Sequence, residues 1–298
     1  MNLKVIAIVG PTAVGKSDLA VKLAQNIPAE IINADAMQLY KGMDIGTAKI
    51  SEKIRNEIKH HLIDVLNPSQ EASVSVYQKK ARAIIKEIQE KNRTPILVGG
   101  SGLYINAVLE DLDFPGTNLE VRAKYEEYLE SYGIQQLFEE LKKVDPEAAS
   151  NILPNNARRI VRALEVNEIT GKPFNAKLPD PKPIYDDVRI GLNLDREILD
   201  QKISIRVHKM FQDGLVDEVK DILDLITAGK TSQKALGYSQ VIDFLKGNIS
   251  IEEAIEQTIS ATKKYARRQI SWFKRDPLLR WFQADDIKLE QEIIRMVS

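Results

Sequence analysis

The 298-residue sequence contains no cysteine. That excludes thiolate catalysis, Cys-ligated zinc and a disulfide framework, and it fits a reducing compartment. No apolar run approaches the roughly 18 residues that a membrane helix needs. The short apolar stretch Val5–Val9 leads into a glycine loop rather than a cleavage site, so the expectation is a cytoplasmic chain with no leader and no membrane partner. Excess charge is missing too. The 42 Lys and Arg against 43 Asp and Glu leave a net charge of −1, which argues against indiscriminate nucleic-acid binding and leaves room for a local basic patch. Internal repeats and low-complexity tracts are absent. What is present, 43% hydrophobic and 29% charged residues, is ordinary for a globular chain of one large or two modest domains. At this length folding buries roughly three quarters of the unfolded chain's surface, so no metal or disulfide staple is needed.

Leu3–Val9 is β-branched and ends at Gly10-Pro11, the pattern of a buried strand stopped by a turn. Asp18–Ala24 places Leu19 and Leu23 on one helical face, and Pro28 closes that segment. Glu30–Asn33 reads as a second strand that delivers Asp35 just past its carboxyl end. From Tyr77, Ala81, Ile84, Ile85 and Ile88 recur with helical spacing, and Pro95–Gly100 is another strand ending on glycines. Strands alternating with crossover helices give an α/β fold, a P-loop NTPase-like parallel sheet flanked by helices, with its ligand site beyond the carboxyl ends of the strands. Strand signals vanish between Asn118 and Thr170, where helical spacing takes over, and Lys177–Pro183 is a proline-dotted hinge. Val188–Leu194 resumes the sheet, long helices follow from about Arg196 and about Ser250, and Leu278–Phe282 adds a last strand. The expected division is a catalytic core of residues 1–115 and 184–298 and an α-helical insertion domain of residues 116–183.

Gly10-Pro11-Thr12-Ala13-Val14-Gly15-Lys16-Ser17 fits G-x-x-x-x-G-K-S/T at every position, between a strand and a helix. Glycines let successive backbone N–H groups converge, and the helix N-terminus adds positive potential. Lys16 is then expected on the phosphates and the Ser17 hydroxyl on a bound Mg²⁺. The motif fits a di- or triphosphate, of which ATP is the commonest, and does not choose between ligands. Asp35 in the second strand's wake is expected next to the phosphate loop, where a carboxylate binds Mg²⁺, accepts a proton from a nucleophile with a pKa raised by a dry pocket, or merely caps a helix. His60-His61 is a poor metal pair, because adjacent strand residues point to opposite faces and a third ligand is missing.

Taken in order, several stretches resemble one family, the tRNA dimethylallyltransferases (tRNA isopentenyltransferases). They are the phosphate loop, Ala34–Tyr40, Asp44–Lys49, His60–Asp64, Gly99–Tyr104, Asp145–Ala149, Arg158–Val166, Thr170–Pro173, Ile203–Met210, Gly237-Tyr238 and Thr262–Phe273. The absence of a Cys/His zinc finger after the catalytic part points to the bacterial type. The resemblance spans nearly the whole chain and implies transfer of a dimethylallyl group from dimethylallyl diphosphate to N6 of the adenosine 3′ of the anticodon. The phosphate loop then grips a diphosphate and hydrolyses no nucleotide. It implies catalytic roles for Asp35 as general base, Thr12, Lys16, Ser101 and Arg206, with Arg206 neutralising the leaving diphosphate. It also implies base or tRNA contacts from Asp35, Ala36, Met37, Gln38 and Ser101, from Arg158, Arg159, Ile160, Val161 and Arg162, and from Arg267, Arg268 and Gln269. The sequence departs from the family pattern at Ala36 (usually serine), Ser101 (usually threonine), Lys202 (often arginine) and Ile50 (proline), and it is short around Gln70–Val76 and Ala228–Gln233.

The implied partners are a tRNA anticodon stem-loop and dimethylallyl diphosphate, with Mg²⁺ as cofactor and a monomeric chain. Lys263, Lys264, Lys274 and Arg275 join the arginines as phosphate contacts or as a plain solvated face. Trp272, Phe273 and Trp281 either stack on bases or fill the core. Competing functions are a small-molecule ATP-dependent kinase, an isopentenyltransferase acting on free AMP or ADP, and a non-enzymatic nucleotide switch or RNA-binding module.

Overall fold

All five side chains of Val5–Val9 are buried, yet they belong to two different cores: Ile6 and Ile8 pack on one side of the sheet, Val5, Ala7 and Val9 on the other. A strand apolar on both faces needs helices above and below it, which a parallel sheet with crossover helices supplies. The computed structural model describes residues 4–176 and 179–297. Leu3, Lys177 and Leu178, parts of the expected first strand and hinge, lie outside the described residues. In chain order the elements are β1 (Val5–Val9), α1 (Lys16–Asn26), β2 (Ala29–Asn33), α2 (Glu52–Glu57), β3 (His60–His61), α3 (Val74–Glu90), β4 (Thr94–Gly99) and α4 (Gly102–Leu109). Then follow α5 (Leu119–Val144), broken at Gly133, α6 (Pro146–Asn151), α7 (Ala157–Thr170), β5 (Asp187–Asn193), α8 (Arg196–Gln212) and α9 (Leu215–Asp221). The chain ends with α10 (Leu223–Ala228), α11 (Tyr238–Leu245), α12 (Ile251–Phe273), β6 (Leu279–Gln283) and α13 (Leu289–Val297).

The six strands form one parallel sheet in the order β3-β2-β4-β1-β5-β6. β4 pairs with both β1 and β2 and separates them, so the segment after β2 meets the phosphate loop across one strand end. Two inter-strand spacings put the ends of β1 and β2 about 10 Å apart. The turn after β4 stands between them. Among the described residues no helix is long and apolar enough to cross a membrane.

The chain divides into two compact units, Met1–Asp111 with Pro183–Ser298, and Leu112–Lys182. The first unit closes at its neck through an isolated bridge between Glu110 and Pro183 and an Ile184 N–H donated to the Leu109 carbonyl at 2.9 Å. The second unit has its own core of Leu137, Phe138, Leu141, Ile160, Val161 and Leu164. Inside it the Glu165 carboxylate is fully buried. It accepts hydrogen bonds from Arg122 at 2.9 and 3.2 Å, from Arg162 at 2.8 Å and from the Asn118 N–H at 3.1 Å.

Removing one member of a buried charge network strands the others without partners and costs about 3–5 kcal/mol. Both arginines keep a quarter of their side chains in water, so Glu165→Ala is expected at the low end, about 3 kcal/mol by urea unfolding. A loss below about 1 kcal/mol would assign the network no structural role.

Candidate active site

The phosphate loop needs its first glycine for two reasons. Gly10 has φ +145°, and a Cβ there would stand 2.5 Å from the Leu192 carbonyl oxygen of β5. Ala13 and Gly15 also have positive φ, 65° and 100°, giving the irregular backbone concavity that suits an anion at a helix N-terminus. Lys16 opens α1 and arches back, donating from Nζ to the Pro11 carbonyl at 2.7 Å. Burial lowers its pKa to about 8, with Arg206 adding to the shift and Asp35 opposing it. A desolvated ammonium of this kind gains most when an anion arrives. Ser17, half-buried in the same turn, carries the hydroxyl expected on Mg²⁺.

At the end of β2, Asn33 is the residue that aims Asp35. Its buried Nδ2 donates to the Asp35 carbonyl at 3.0 Å and the Leu62 carbonyl at 2.9 Å, while its Oδ1 accepts from the Asp35 N–H at 2.9 Å. The Tyr77 hydroxyl holds the Asn33 carbonyl at 2.9 Å. Asp35 Oδ1 accepts from the Met37 N–H at 2.9 Å, so it caps a tight turn and no helix. Burial raises the Asp35 pKa against the opposing pull of the Met37 N–H and of Lys16.

Ser101, in the turn after β4, joins the two halves. Its Oγ accepts from the Ala36 N–H at 3.1 Å and its N–H donates to the Ala34 carbonyl at 3.3 Å. The approach leaves no room for a side chain at Gly99, whose Cβ would collide with the Ala34 backbone. The Ala36 departure thus keeps the backbone contact at that position.

Helices α8 and α12 complete the wall. Arg206 Nη1 lies 3.5 Å from the Thr12 hydroxyl, and burial lowers its pKa against the opposing pull of Asp18. Gln269, only 4% exposed, accepts from the Thr12 N–H at 2.8 Å and donates to the Gly100 carbonyl at 2.9 Å. One turn earlier Tyr265 lies beside Ser101 and Gln269, and burial pushes its pKa up to about 12. One turn later Trp272 Nε1 donates to Asn106 Oδ1 at 2.9 Å.

The structure thus brings together Thr12, Lys16, Asp35, Ser101 and Arg206, and it rearranges the residues expected at tRNA. Gln269 points inward as a bracket and is removed from the set of surface contacts. Ile160 and Val161 are core residues of the helical unit, because α7 buries a stripe that includes Ile160, Val161, Ala163 and Leu164 while the flanking arginines stay outside. Arg162 is tied to Glu165 and to the Pro115 and Gly116 carbonyls, and Arg159 to the Ala176 carbonyl. Arg158 is exposed. Arg267 and Arg268 are exposed on α12, the first 3.4 Å from Asp200 and the second over the Tyr265 ring. Phe273 is buried, and Trp272 and Trp281 pack against the same core, so the core reading holds for all three.

Met37 and Gln38 follow Asp35 in its turn, and Gln38 Nε2 donates to the Thr47 carbonyl at 3.0 Å. The loop carrying Thr47 is clamped by a residue that sequence reasoning missed. The Glu218 carboxylate accepts from the N–H groups of Asp44, Ile45 and Gly46 at 2.7–3.2 Å and from the Tyr238 hydroxyl at 2.5 Å. Asn33 and Tyr265 were also missed as site residues. An Asn two places before the acid, and a Tyr four places before Gln269 on one helical face, were the available signals. Glu218 had none, since its backbone partners lie some 170 residues away in sequence. His60 and His61 go to separate partners, the Ile58 carbonyl and Glu30 Oε2, each at 2.7 Å.

In chemical terms the site offers a cationic cradle at one end, a recessed carboxylate of raised pKa at the other, and a hydroxyl between them. The sequence pattern of IPP transferase matches residues 38–276. A tRNA dimethylallyltransferase of Thermobifida fusca is 53% identical over 94% of this chain and 90% of its own length. One of Salinispora tropica is 49% identical over 98% and 92%. The crystal structure of the full-length tRNA isopentenylpyrophosphate transferase of Bacillus halodurans superposes with a TM-score of 0.73 at 41% identity, covering 99% of this chain and 95% of that one. A eukaryotic dimethylallyltransferase acting on tRNA gives 0.80 at 29% identity, covering 96% and 75%. With the fold, the cradle and this similarity in agreement over nearly its full length, the chain belongs to the IPP transferase family.

Proposed function

We propose that this protein transfers the dimethylallyl group of dimethylallyl diphosphate to N6 of the adenosine 3′ of the anticodon in tRNA, releasing diphosphate. We assign it to the cytoplasm, where tRNA is, as a monomer. The observation that carries the reading is the opposition of Lys16 and Asp35 across a single strand end, with Ser101 between them. A cradle at one side takes the departing charge, and a carboxylate at the other takes the proton.

In the step proposed, the C1–O bond to diphosphate breaks and a C1–N6 bond forms. The N6 proton passes to Asp35, and diphosphate leaves with the bond's electron pair. Allylic diphosphates ionise readily, so the main barrier is stabilising the leaving charge, which Lys16, Arg206 and the loop N–H groups do without reorganising. The raised pKa of Asp35 suits a group that must accept a proton late, as the amine becomes acidic. Among the described residues no cluster of three His, Asp or Glu could hold a metal. The donor set fits Mg²⁺ bound by the Ser17 hydroxyl and the diphosphate oxygens, since that ion keeps most of its water and needs few protein ligands. When bound, it supplies further neutralisation of the leaving diphosphate. An adenine in a folded anticodon loop must be extruded, at a cost of a few kcal/mol. Exposed Arg158, Arg267 and Arg268 are the cations we assign to offset that cost through the RNA backbone.

Labelled dimethylallyl diphosphate, offered with tRNA, with AMP, or with a sugar and ATP, tests the reading directly: label is expected in tRNA alone. Lys16→Ala and Asp35→Ala should each abolish transfer, and only the first should weaken diphosphate binding strongly. Equal loss of diphosphate affinity would make Asp35 a metal ligand and not a base.

The pH profile of kcat/KM should be bell-shaped. Asp35 works deprotonated and burial raises its pKa, so activity falls with acid at a midpoint above the ordinary carboxylate value of about 3.9. Lys16 works protonated, so the alkaline limb of the free enzyme falls as pH rises through about 8. In kcat that limb should move upward, because bound diphosphate favours the ammonium. A kcat/KM profile flat on both sides contradicts both assignments.

Arg267→Ala combined with Arg268→Ala should weaken tRNA binding and reduce the slope of log K against log salt by about two, one for each phosphate no longer neutralised. An unchanged slope returns that face of α12 to plain solvent.

A further inference from the structure

The side chains of α12 at positions 265, 269 and 272 repeat at helical spacing and face the phosphate loop, the turn after β4 and the start of α4. Gln269 bonds Thr12 and Gly100, Trp272 bonds Asn106 while its ring fills the space over Gly102, and Tyr265 lies beside Ser101. The central contact differs in kind from its neighbours. A primary amide accepts on one atom and donates on the other, so Gln269 joins a donor of the phosphate loop to an acceptor of the turn that presents Ser101. It is nearly fully buried, where leaving either partner without a hydrogen bond is costly.

We propose that Gln269 is a positioning residue for the transfer: its amide sets the phosphate loop in register with the Ser101 turn, fixing the distance between the diphosphate cradle and Asp35. The inference rests on the dimethylallyl transfer proposed above for the chemistry it serves. Thr12 is the link. Its N–H is held by Gln269 and its hydroxyl is approached by Arg206, so a Thr12 backbone released from the bridge also loosens the arginine that faces the leaving group. Releasing Gly100 displaces Ser101, which holds the Ala36 and Ala34 backbone beside Asp35.

The amide's two-sidedness gives the test. Gln269→Leu removes both bonds. In Gln269→Glu, an ionised carboxylate still accepts from the Thr12 N–H but sets a second acceptor against the Gly100 carbonyl, whereas the protonated acid donates there and rebuilds the bridge. The charged and titratable groups around it are Lys16 of α1, Arg206 of α8, Asp35 after β2, and Tyr265 and Arg268 of α12. They are common to variant and wild type, so the ratio of the two cancels their own titration and leaves the ionisation of residue 269 together with its pull on them.

On the full chain, transfer of label from dimethylallyl diphosphate to tRNA gives kcat, and calorimetry with inorganic diphosphate gives an affinity that does not depend on the prenyl reading. Thermal melting confirms that each variant is folded. Gln269→Leu should lose at least about tenfold in both quantities at every pH. Gln269→Glu should show a comparable deficit near about pH 8 and return to within about threefold of wild type near about pH 5.5. A Gln269→Glu to wild-type ratio that stays constant with pH, or a folded Gln269→Leu within about twofold of wild type, overturns the proposal. If the wild type itself transfers no label, the dimethylallyl reading falls, and the diphosphate affinities alone decide whether the bridge sets the cradle.

Discussion

Everything in this site depends on holding a desolvated ammonium and a desolvated carboxylate close enough to feel each other and too far apart to join. Lys16 and Asp35 each shift the other's pKa, but burial dominates both and acts against charge at both ends. Lys16, at the start of α1, turns its ammonium to the Pro11 carbonyl. The interposed β4 keeps the ends of β1 and β2 apart, and the space between is floored by Gly99, Gly100 and Ser101, residues small enough to let backbone approach backbone. The sheet order thus sets the separation between the phosphate loop and Asp35.

The same economy governs the surrounding helices. α12 contributes no reacting group, but its inner face brackets the floor of the site while its outer face carries Lys264, Arg267 and Arg268 to solvent. A single helix therefore joins the cations assigned to the RNA backbone with the bracket that shapes the donor cradle. Glu218 does a comparable task at a distance: its carboxylate replaces solvent for three successive backbone N–H groups and so orders the loop whose carbonyl receives Gln38.

Much of this was legible in the sequence, and for identifiable reasons. β1, β2 and β4 were announced by short runs rich in β-branched residues, β5 by the alternation of Val188, Ile190, Leu192 and Leu194, β6 by the apolar Leu278–Phe282, and α3 by an apolar stripe of period 3.6. The phosphate loop was readable because its function is carried by backbone geometry, which fixes the spacing of its glycines. Strand order was not readable, because neighbour relations across a sheet leave no trace in local pattern; that β4 stands between β1 and β2 is seen only in the structure. Resemblance by segment also blurred the two faces of a helix. It grouped Ile160 and Val161 with Arg158, and Gln269 with Arg268, although in each case burial separates a core or bracketing side chain from an exposed cation. Interactions of side chains with distant backbone, such as Asn33 with Leu62 and Glu218 with Asp44, carry no signal in a single sequence.

The most direct test of the central claim is a crystal structure of the chain with an unreactive thio analogue of dimethylallyl diphosphate and an anticodon stem-loop. The account predicts the diphosphate within the loop of residues 10–17, the adenine everted, and its N6 within about 3 Å of an Asp35 carboxylate oxygen. A diphosphate bound elsewhere, or an Asp35 carboxylate coordinated to a metal with N6 out of its reach, would contradict it.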